Sequence, residues 1–391
     1  MIFMIIDIEG SVSRSLGSSG GSTTVEVSVA PRAKTKSTER HVALLIDTSA
    51  SMDGEKIKNA KNGAKNALDH LEETDYVSIT GFNSDTDVIL PMSKWGMITE
   101  SEAKNDIDDI QAGGGTDIYN GLETVRDQLV QDTPSSVSAI KRIILLSDGQ
   151  DRYDAKTYRN LASDFDDDGI SIIAAGIGDA YDDSVILALA NASGGTPANL
   201  SGDDIDEFLE NTVGDTDGVV ASNPTLEIDP RHGFLVDEEP VQFNEPKFQE
   251  RDVDTDGSPA TVKLPELELG GPHRLTFEML GQPKSTGIEH ELADLRVVDS
   301  AGSTLAETVL HIKYTESGAL EHADIEKSRS LAKGTTDIQD PDTSDAEVRT
   351  AIDKMEERGW TDTADDLKEK LDTADEDGGL IKISQSGAND T

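Results

Sequence analysis

The chain has 391 residues, enough for two or three domains, and 34 Lys+Arg against 78 Asp+Glu leave a formal net charge of −44. The acids are interleaved with clear apolar periodicity, so the composition predicts a folded protein with a carboxylate-covered surface, the habit of proteins from very salty cytoplasm, and argues against a nucleic-acid partner, which would need a basic stripe. Cys is absent, which excludes both a disulfide framework and thiolate metal chemistry.

The opening MIFMII is apolar but short, lacks a basic flank and runs into Asp7 and Glu9, so it reads neither as a signal peptide nor as a membrane span. No other run approaches the ~20 apolar residues a membrane helix needs, and the expected location is the cytoplasm without membrane insertion. RSLGSSGGSTT, Arg14 to Thr24, reads as a flexible joint or hairpin loop, and VEVSVAP after it alternates as a strand. A basic stretch, Arg32 to Arg40, leads into HVALLID, which is apolar on both faces as a covered, central parallel strand should be.

Helices and strands then alternate. Helices are predicted over Glu55–Glu73, Ser101–Ile110, Ile118–Val130, Ala155–Phe165, Val185–Ala192 and Asp203–Val213, with strands at YVSITGF, RIILLSDG and ISIIAAGIG. This order predicts a doubly wound α/β domain, residues 40–214, whose mostly parallel sheet carries its ligand site at the carboxyl ends of the strands. From Asp215 the segments become short and β-like with Pro and Gly between them, predicting an antiparallel β-sandwich over 215–315. The N-terminal segment, 1–39, is expected to add its strand to that sandwich, making the α/β domain an insertion. Residues 316–375 read as helical (Glu321–Lys333, Ser344–Arg358, Thr361–Thr373), and 376–391 as a disordered tail, a short strand at LIKI aside.

Three segments end strands on one rim of the predicted sheet: DTSAS with Asp47, Ser49 and Ser51, GGGTD with Thr116, and LLSDG with Asp148. Two carboxylates and three hydroxyls are all hard oxygen donors, a set suited to magnesium or manganese rather than zinc. Alternate spacing lets two side chains of DTSAS reach one point, and the glycines before Thr116 permit a turn that other residues resist. Each residue alone could serve as a helix cap; five together point to metal.

The constellation resembles a von Willebrand factor A domain with its metal-ion-dependent adhesion site. The family pattern, DxSxS followed by a distant Thr and a distant Asp, falls on Asp47, Ser49, Ser51, Thr116 and Asp148, with SM, GGTDIYNGL and LLSDGQ as matching surroundings. The likeness covers about Arg40 to Gly214; Ala50 stands where many members carry Gly, which tightens the loop without removing a ligand. The resemblance implies Ser49, Ser51 and Thr116 as direct ligands of Mg2+ (or Mn2+), with both aspartates acting partly through water. It implies a non-enzymatic module whose under-neutralised metal takes an Asp or Glu from a protein partner, in an intracellular scaffold or adaptor serving ATPases or kinase and phosphatase systems. The rival expectations are a Mg2+-dependent hydrolase or phosphatase, since an aspartate on a strand tip also opens phosphoryl-transfer sites, and a surface adhesion protein. Against the first, Ser49 stands where the second carboxylate of such a site belongs.

Other motifs are bland. DVDTDG, Asp252–Gly257, starts like a calcium loop but has Lys263 at the twelfth position, so it reads as an acidic hairpin turn. DFDDDG, Asp164–Gly169, reads as a helix end with a Gly cap. The seven histidines lack metal-ligand spacing, and AAGIGD lacks the third glycine of a dinucleotide fingerprint.

Overall fold

The computed structural model describes residues 6–33, 39–133, 139–148, 151–178, 180–201, 203–214, 219–340 and 342–374, together with 380 and 383. Three strands come first: β1 (Ile6–Val12), β2 (Arg14–Gly17) and β3 (Gly21–Pro31), with β1 and β3 antiparallel. The expected loop at Arg14–Thr24 is therefore corrected. Ser15 and Leu16 are buried in strand structure, and only the stretch around Ser18 to Gly20 turns. The glycine there answers a close backbone approach: Gly20 has φ +83°, and a Cβ on it would lie 2.2 Å from the Gly281 carbonyl oxygen.

The unit Lys36–Gly218 follows. It contains β4 (Arg40–Asp47), α1 (Glu55–Leu68), β5 (Tyr76–Phe82), β6 (Thr86–Lys94), α2 (Glu100–Asp108), α3 (Ile118–Gln131), β7 (Ile140–Ser147), α4 (Ala155–Asp167), β8 (Ile170–Ile177), α5 (Asp183–Ala192), β9 (Pro197–Leu200) and α6 (Ile205–Gly214). Its six-stranded sheet runs β6-β5-β4-β7-β8-β9. β4, β5, β7, β8 and β9 are parallel and β6 is an antiparallel edge, so the expected mostly parallel sheet is mixed at one side. Sequence reasoning passed over β6 because Pro91 interrupts it. Proline donates nothing to a ladder and is tolerated on an edge strand, here beside the register shift between Val77 and Ile79 of its partner. DFDDDG is the end of α4, with Gly169 at φ +69° after it, as expected.

Every residue of β4 is buried, because helices cover both faces of the sheet. At its start the Arg40 guanidinium pairs with the buried Asp75 carboxylate and donates to the carbonyls of His70 (2.8 Å) and Val213 (3.1 Å), tying β4 to the ends of α1 and α6. Helix α1 stops at Leu68, short of the expected Glu73, and packs Ala60, Ala64 and Ala67 inward. Gly63 lets α6 approach: a Cβ there would meet Asp206 Cα at 2.7 Å.

The other unit joins Met1–Thr35 to Val219–Thr391. Its later elements are β10 (Val219–Ala221), β11 (Thr225–Pro230), β12 (Phe234–Val236), β13 (Val241–Glu245), β14 (Gln249–Arg251), β15 (Ala260–Lys263), β16 (Leu267–Glu268), β17 (His273–Gly281), β18 (Glu289–Val298), β19 (Thr304–Thr315), β20 (Ser317–Leu320), α7 (Ala323–Gln339), α8 (Asp345–Glu357) and α9 (Thr361–Ala374). One sheet runs β1-β3-β17-β13-β14 with β12 on β17, a second β15-β11-β18-β19-β2-β20, and β10 pairs with β16. Val25, Val27, Phe243, Phe277, Leu226, Leu295 and Leu310 share one core between the two larger sheets. The sandwich is not purely antiparallel, since β2 runs parallel to β19. DVDTDG lies in a tight reversal, as expected of an acidic turn: Asp254 and Thr261 form an antiparallel bridge and exchange backbone hydrogen bonds of 2.9 Å in both directions.

The segment expected to be helical from residue 316 first adds β20, and α7 runs past the expected Lys333. Gly334 sits inside α7 because α9 presses on it, a Cβ there falling 2.4 Å from Leu367 Cδ2, and Thr335 satisfies its hydroxyl on the Leu331 carbonyl at 2.8 Å. A capping box of Ser344 and Glu347 opens α8. Phe248 joins Ile352, Met355, Leu367 and Leu371 in the core of these helices. Of LIKI, the expected short strand, Leu380 and Ile383 are helical, while its two middle residues and the rest of the expected disordered tail lie outside the described residues.

Two outcomes follow. Gly63→Ala should destabilise the α/β unit by about 1–3 kcal/mol through overpacking against α6, read as a lower denaturant midpoint at unchanged slope. His273 is buried, and burial, helped by the nearby Lys247 ammonium, pushes its imidazole down from 6.5 to about 4. The unfolded chain then takes this proton first, so stability is present above about pH 6.5 and lost as pH falls toward about 4. Melting temperatures of wild type and His273→Gln across that window should show the wild type falling more steeply.

Candidate metal centre

β4 ends in Asp47, whose carboxylate is fully buried. The backbone N–H of Ser49 donates to Asp47 Oδ1 and the Ser147 hydroxyl, from the end of β7, donates to Oδ2, both at 2.8 Å. Burial pushes the Asp47 carboxyl up from its ordinary value; the hydrogen bonds from Ser49 and Ser147 oppose this, and the Asp148 carboxylate adds to it. A buried anion matched only by neutral donors is under-compensated, and a cation is what such a place accommodates.

After Asp47 the chain turns through a short 3-10 segment, Ala50–Met52, held down by the buried Met52. The turn brings the Ser49 and Ser51 hydroxyls within 2.9 Å of each other, and Ser51 donates to Asp148 Oδ1 at 2.7 Å. Asp148 follows Ser147 and is itself buried. One continuous set of oxygens thus runs from Asp47 through Ser49 and Ser51 to Asp148.

The glycine loop is fastened beside it. The Gly113 N–H donates to the Thr48 carbonyl (2.8 Å), and the Ala50 N–H donates to the Gly114 carbonyl (3.2 Å). Gly114 has φ +85°, the left-handed region that a side chain resists. On the far side the Asn83 amide donates to the Thr48 hydroxyl at 3.2 Å and the Gly115 N–H to the Ser84 hydroxyl at 2.9 Å. Thr116 comes next, half-buried, and among the described residues its hydroxyl makes no hydrogen bond.

Helix capping does not explain the five residues. Helix α1 is preceded by Gly54, α3 is capped by Asp117 rather than Thr116, and Ser49 at the start of the 3-10 turn makes no side-chain cap bond. The donor set fits a hard divalent cation in number and chemistry, being all oxygen with two carboxylates. Among the described residues no group of three or more His, Cys, Asp or Glu gathers elsewhere to offer a competing site, the acidic run at Asp252–Gly257 included.

The sequence reading missed four contributors. Ser147 anchors Asp47 from behind, and Asn83 with Ser84 pins the glycine loop; nothing in their local spacing marks them. Lys56 donates from its ammonium to Asp148 Oδ2. It is the first of several lysines on α1, with Lys58, Lys61 and Lys65 after it, and a lysine near a helix start reads as surface.

Comparison with known proteins agrees with this architecture. Residues 41–211 match the sequence profile of the von Willebrand factor type A domain. An uncharacterized protein of Synechocystis is 26% identical over 157 residues, 40% of this chain and 36% of that protein. The human inter-alpha-trypsin inhibitor heavy chain H2 is 28% identical over 177 residues, 42% of this chain and 18% of its own length, so the chain spans only a minor part of these relatives. Among solved structures, a von Willebrand factor type A protein from Catenulispora acidiphila superposes with a TM-score of 0.76 at 20% identity, covering 98% of this chain and 97% of that one. The ArnB paralog VWA2 from Sulfolobus acidocaldarius gives 0.65 at 18% identity with 98% of both chains covered. The Lys36–Gly218 unit, with its mixed sheet and the DxSxS turn at the tip of β4, is a von Willebrand factor type A domain over residues 41–211.

Proposed function

We propose that this domain is a divalent-cation-dependent protein-binding module in which Asp47, Ser49, Ser51, Thr116 and Asp148 hold Mg2+ or, by the same donor chemistry, Mn2+. The observation that carries the reading is the connected set of oxygens from Asp47 to Asp148, none of it engaged in helix capping. Three of the five donors are neutral hydroxyls. When bound, the cation supplies an incompletely neutralised position for a carboxylate from an acidic partner. The chain's own residues orient that position: Ser147 and the Ser49 amide fix Asp47, and the bonds from Gly113 and to Gly114 bring Thr116 alongside.

Such a contact suits a chain of charge −44. Opposite unit charges about 4 Å apart gain about 1 kcal/mol in bulk water and about 4 kcal/mol at an effective dielectric of 20, so a contact made where water is displaced outweighs steering through solvent. In strong salt, the setting the composition suits, steering is screened within about 3 Å at 1 M while a direct contact persists. No helix among the described residues is long and apolar enough to cross a membrane. We take the role to be that of a scaffold or adaptor rather than a hydrolase. Ser49 stands where the second carboxylate of an aspartyl-phosphate site would be, so Asp47 has no acid–base partner two residues on.

Calorimetric titration with Mn2+ tests the ligand set. Thr116→Val and Asp148→Asn should each weaken uptake by about tenfold or more while circular dichroism stays that of wild type. Partners retained by the wild-type protein should be released by EDTA and absent from Thr116→Val. Unaltered Mn2+ affinity in both variants would remove the proposal's basis.

A further inference from the structure

Lys56 lies in the first turn of α1, immediately after Glu55. A helix N-terminus carries positive partial charge, so a cation in its first turn is misplaced by the usual preference and gains nothing from the helix. The side chain nevertheless does not point away. Its ammonium bonds to Asp148 Oδ2, on a carboxylate whose side chain is 0% exposed while that of Lys56 is 31% exposed. Gly178, after β8, lies beside the ammonium: a Cβ on it would be in ordinary contact with Lys56 Nζ at 3.9 Å.

The two Asp148 oxygens are thus divided. Oδ1 accepts from Ser51, on the side of the serine hydroxyls, and Oδ2 accepts from Lys56. Counting formal charges, Asp47 and Asp148 with Lys56 leave the site at −1, where the two carboxylates alone would leave −2. A monovalent cation that the chain itself supplies already satisfies the carboxylate that the divalent cation needs.

We propose that Lys56 is a built-in counter-ion that competes with the divalent cation for Asp148, setting the cation concentration at which the site loads and keeping the loaded site short of negative charge. The inference rests on the metal-binding reading above and deepens it. Lys56 acts through Asp148 and is a positioning residue. With Mg2+ or Mn2+ absent, its ammonium holds Asp148 in place beside Ser51 and relieves the repulsion between Asp148 and Asp47. Loading then works against Lys56, so affinity for the metal is lower than the oxygens alone would give.

The test uses the full chain, wild type, Lys56→Met and Lys56→Arg, titrated with Mn2+ alone by calorimetry and melted with EDTA or with saturating Mn2+. Lys56→Met keeps the length of the side chain and removes its charge. It should bind Mn2+ about tenfold more tightly than wild type, with Lys56→Arg close to wild type. In EDTA, Lys56→Met should melt below wild type, and saturating Mn2+ should erase or reverse that difference. A purely structural role would leave the deficit in place with metal bound. Equal or weaker Mn2+ binding by Lys56→Met overturns the inference, as does a melting deficit that survives saturation. Should Lys56→Met not fold, Lys56→Gln takes its place under the same criteria. If wild type takes up Mn2+ and the neutral variant does so no better, this inference alone fails; if neither takes it up, the metal reading fails with it.

Discussion

The burial of one carboxylate, Asp47, at the carboxyl end of a strand covered on both faces is the constraint from which the site follows. An anion in that position must be matched, and it is matched by the Ser49 amide and the Ser147 hydroxyl. Each donor belongs to a segment that continues into the site, since Ser51 follows Ser49 and Asp148 follows Ser147. β4 and β7 lie side by side in parallel register, Ile46 opposite Leu146. Fixing Asp47 therefore fixes the approach of Asp148 as well. The parallel sheet does the remainder by delivering two strand ends to one rim.

The α/β domain was legible because its signals are local. HVALLID is apolar on both faces, helix periodicity is strong, and DTSAS, GGGTD and LLSDG announce themselves by residue type. The elements that escaped are those where tertiary context overrides local preference. Pro91 hides β6, which can exist only because it is an edge. Gly20 and Ser18 make β2 and the start of β3 look like linker, although the glycine serves a close approach between backbones. Gly334, Thr335 and Thr336 argue against helix, yet α7 continues through them because Leu367 packs where a side chain would stand.

In the candidate site, the oxygen-bearing residues could be named from residue type and spacing, while the residues that hold them in place could not. Ser147, Asn83 and Ser84 act through hydrogen bonds to Asp47, Thr48 and Gly115 across the sheet, and no sequence separation marks such bonds. Lys56 was hidden differently. Its charge matters because Asp148 folds in from nearly a hundred positions away, and in a chain so rich in acids a single lysine draws no notice until its neighbour is known. Electrostatics at this centre is a sum over both strands' ends, not a property of either motif.

The sandwich is assembled from both ends of the chain, with Val25 on β3 pairing Phe277 on β17 across the whole inserted domain. During synthesis the α/β unit is complete before β17 has been made, so it can fold first while β3 waits with an open hydrogen-bonding edge. Entropy of closure rises only slowly with the length of an intervening segment, and the inserted domain no longer behaves as a long floppy loop once it has folded. Translation order thus favours maturation of the unit that carries the candidate metal centre ahead of the sandwich, and any delay between the two leaves the nascent β3 edge as the place where misassembly between neighbouring chains would begin.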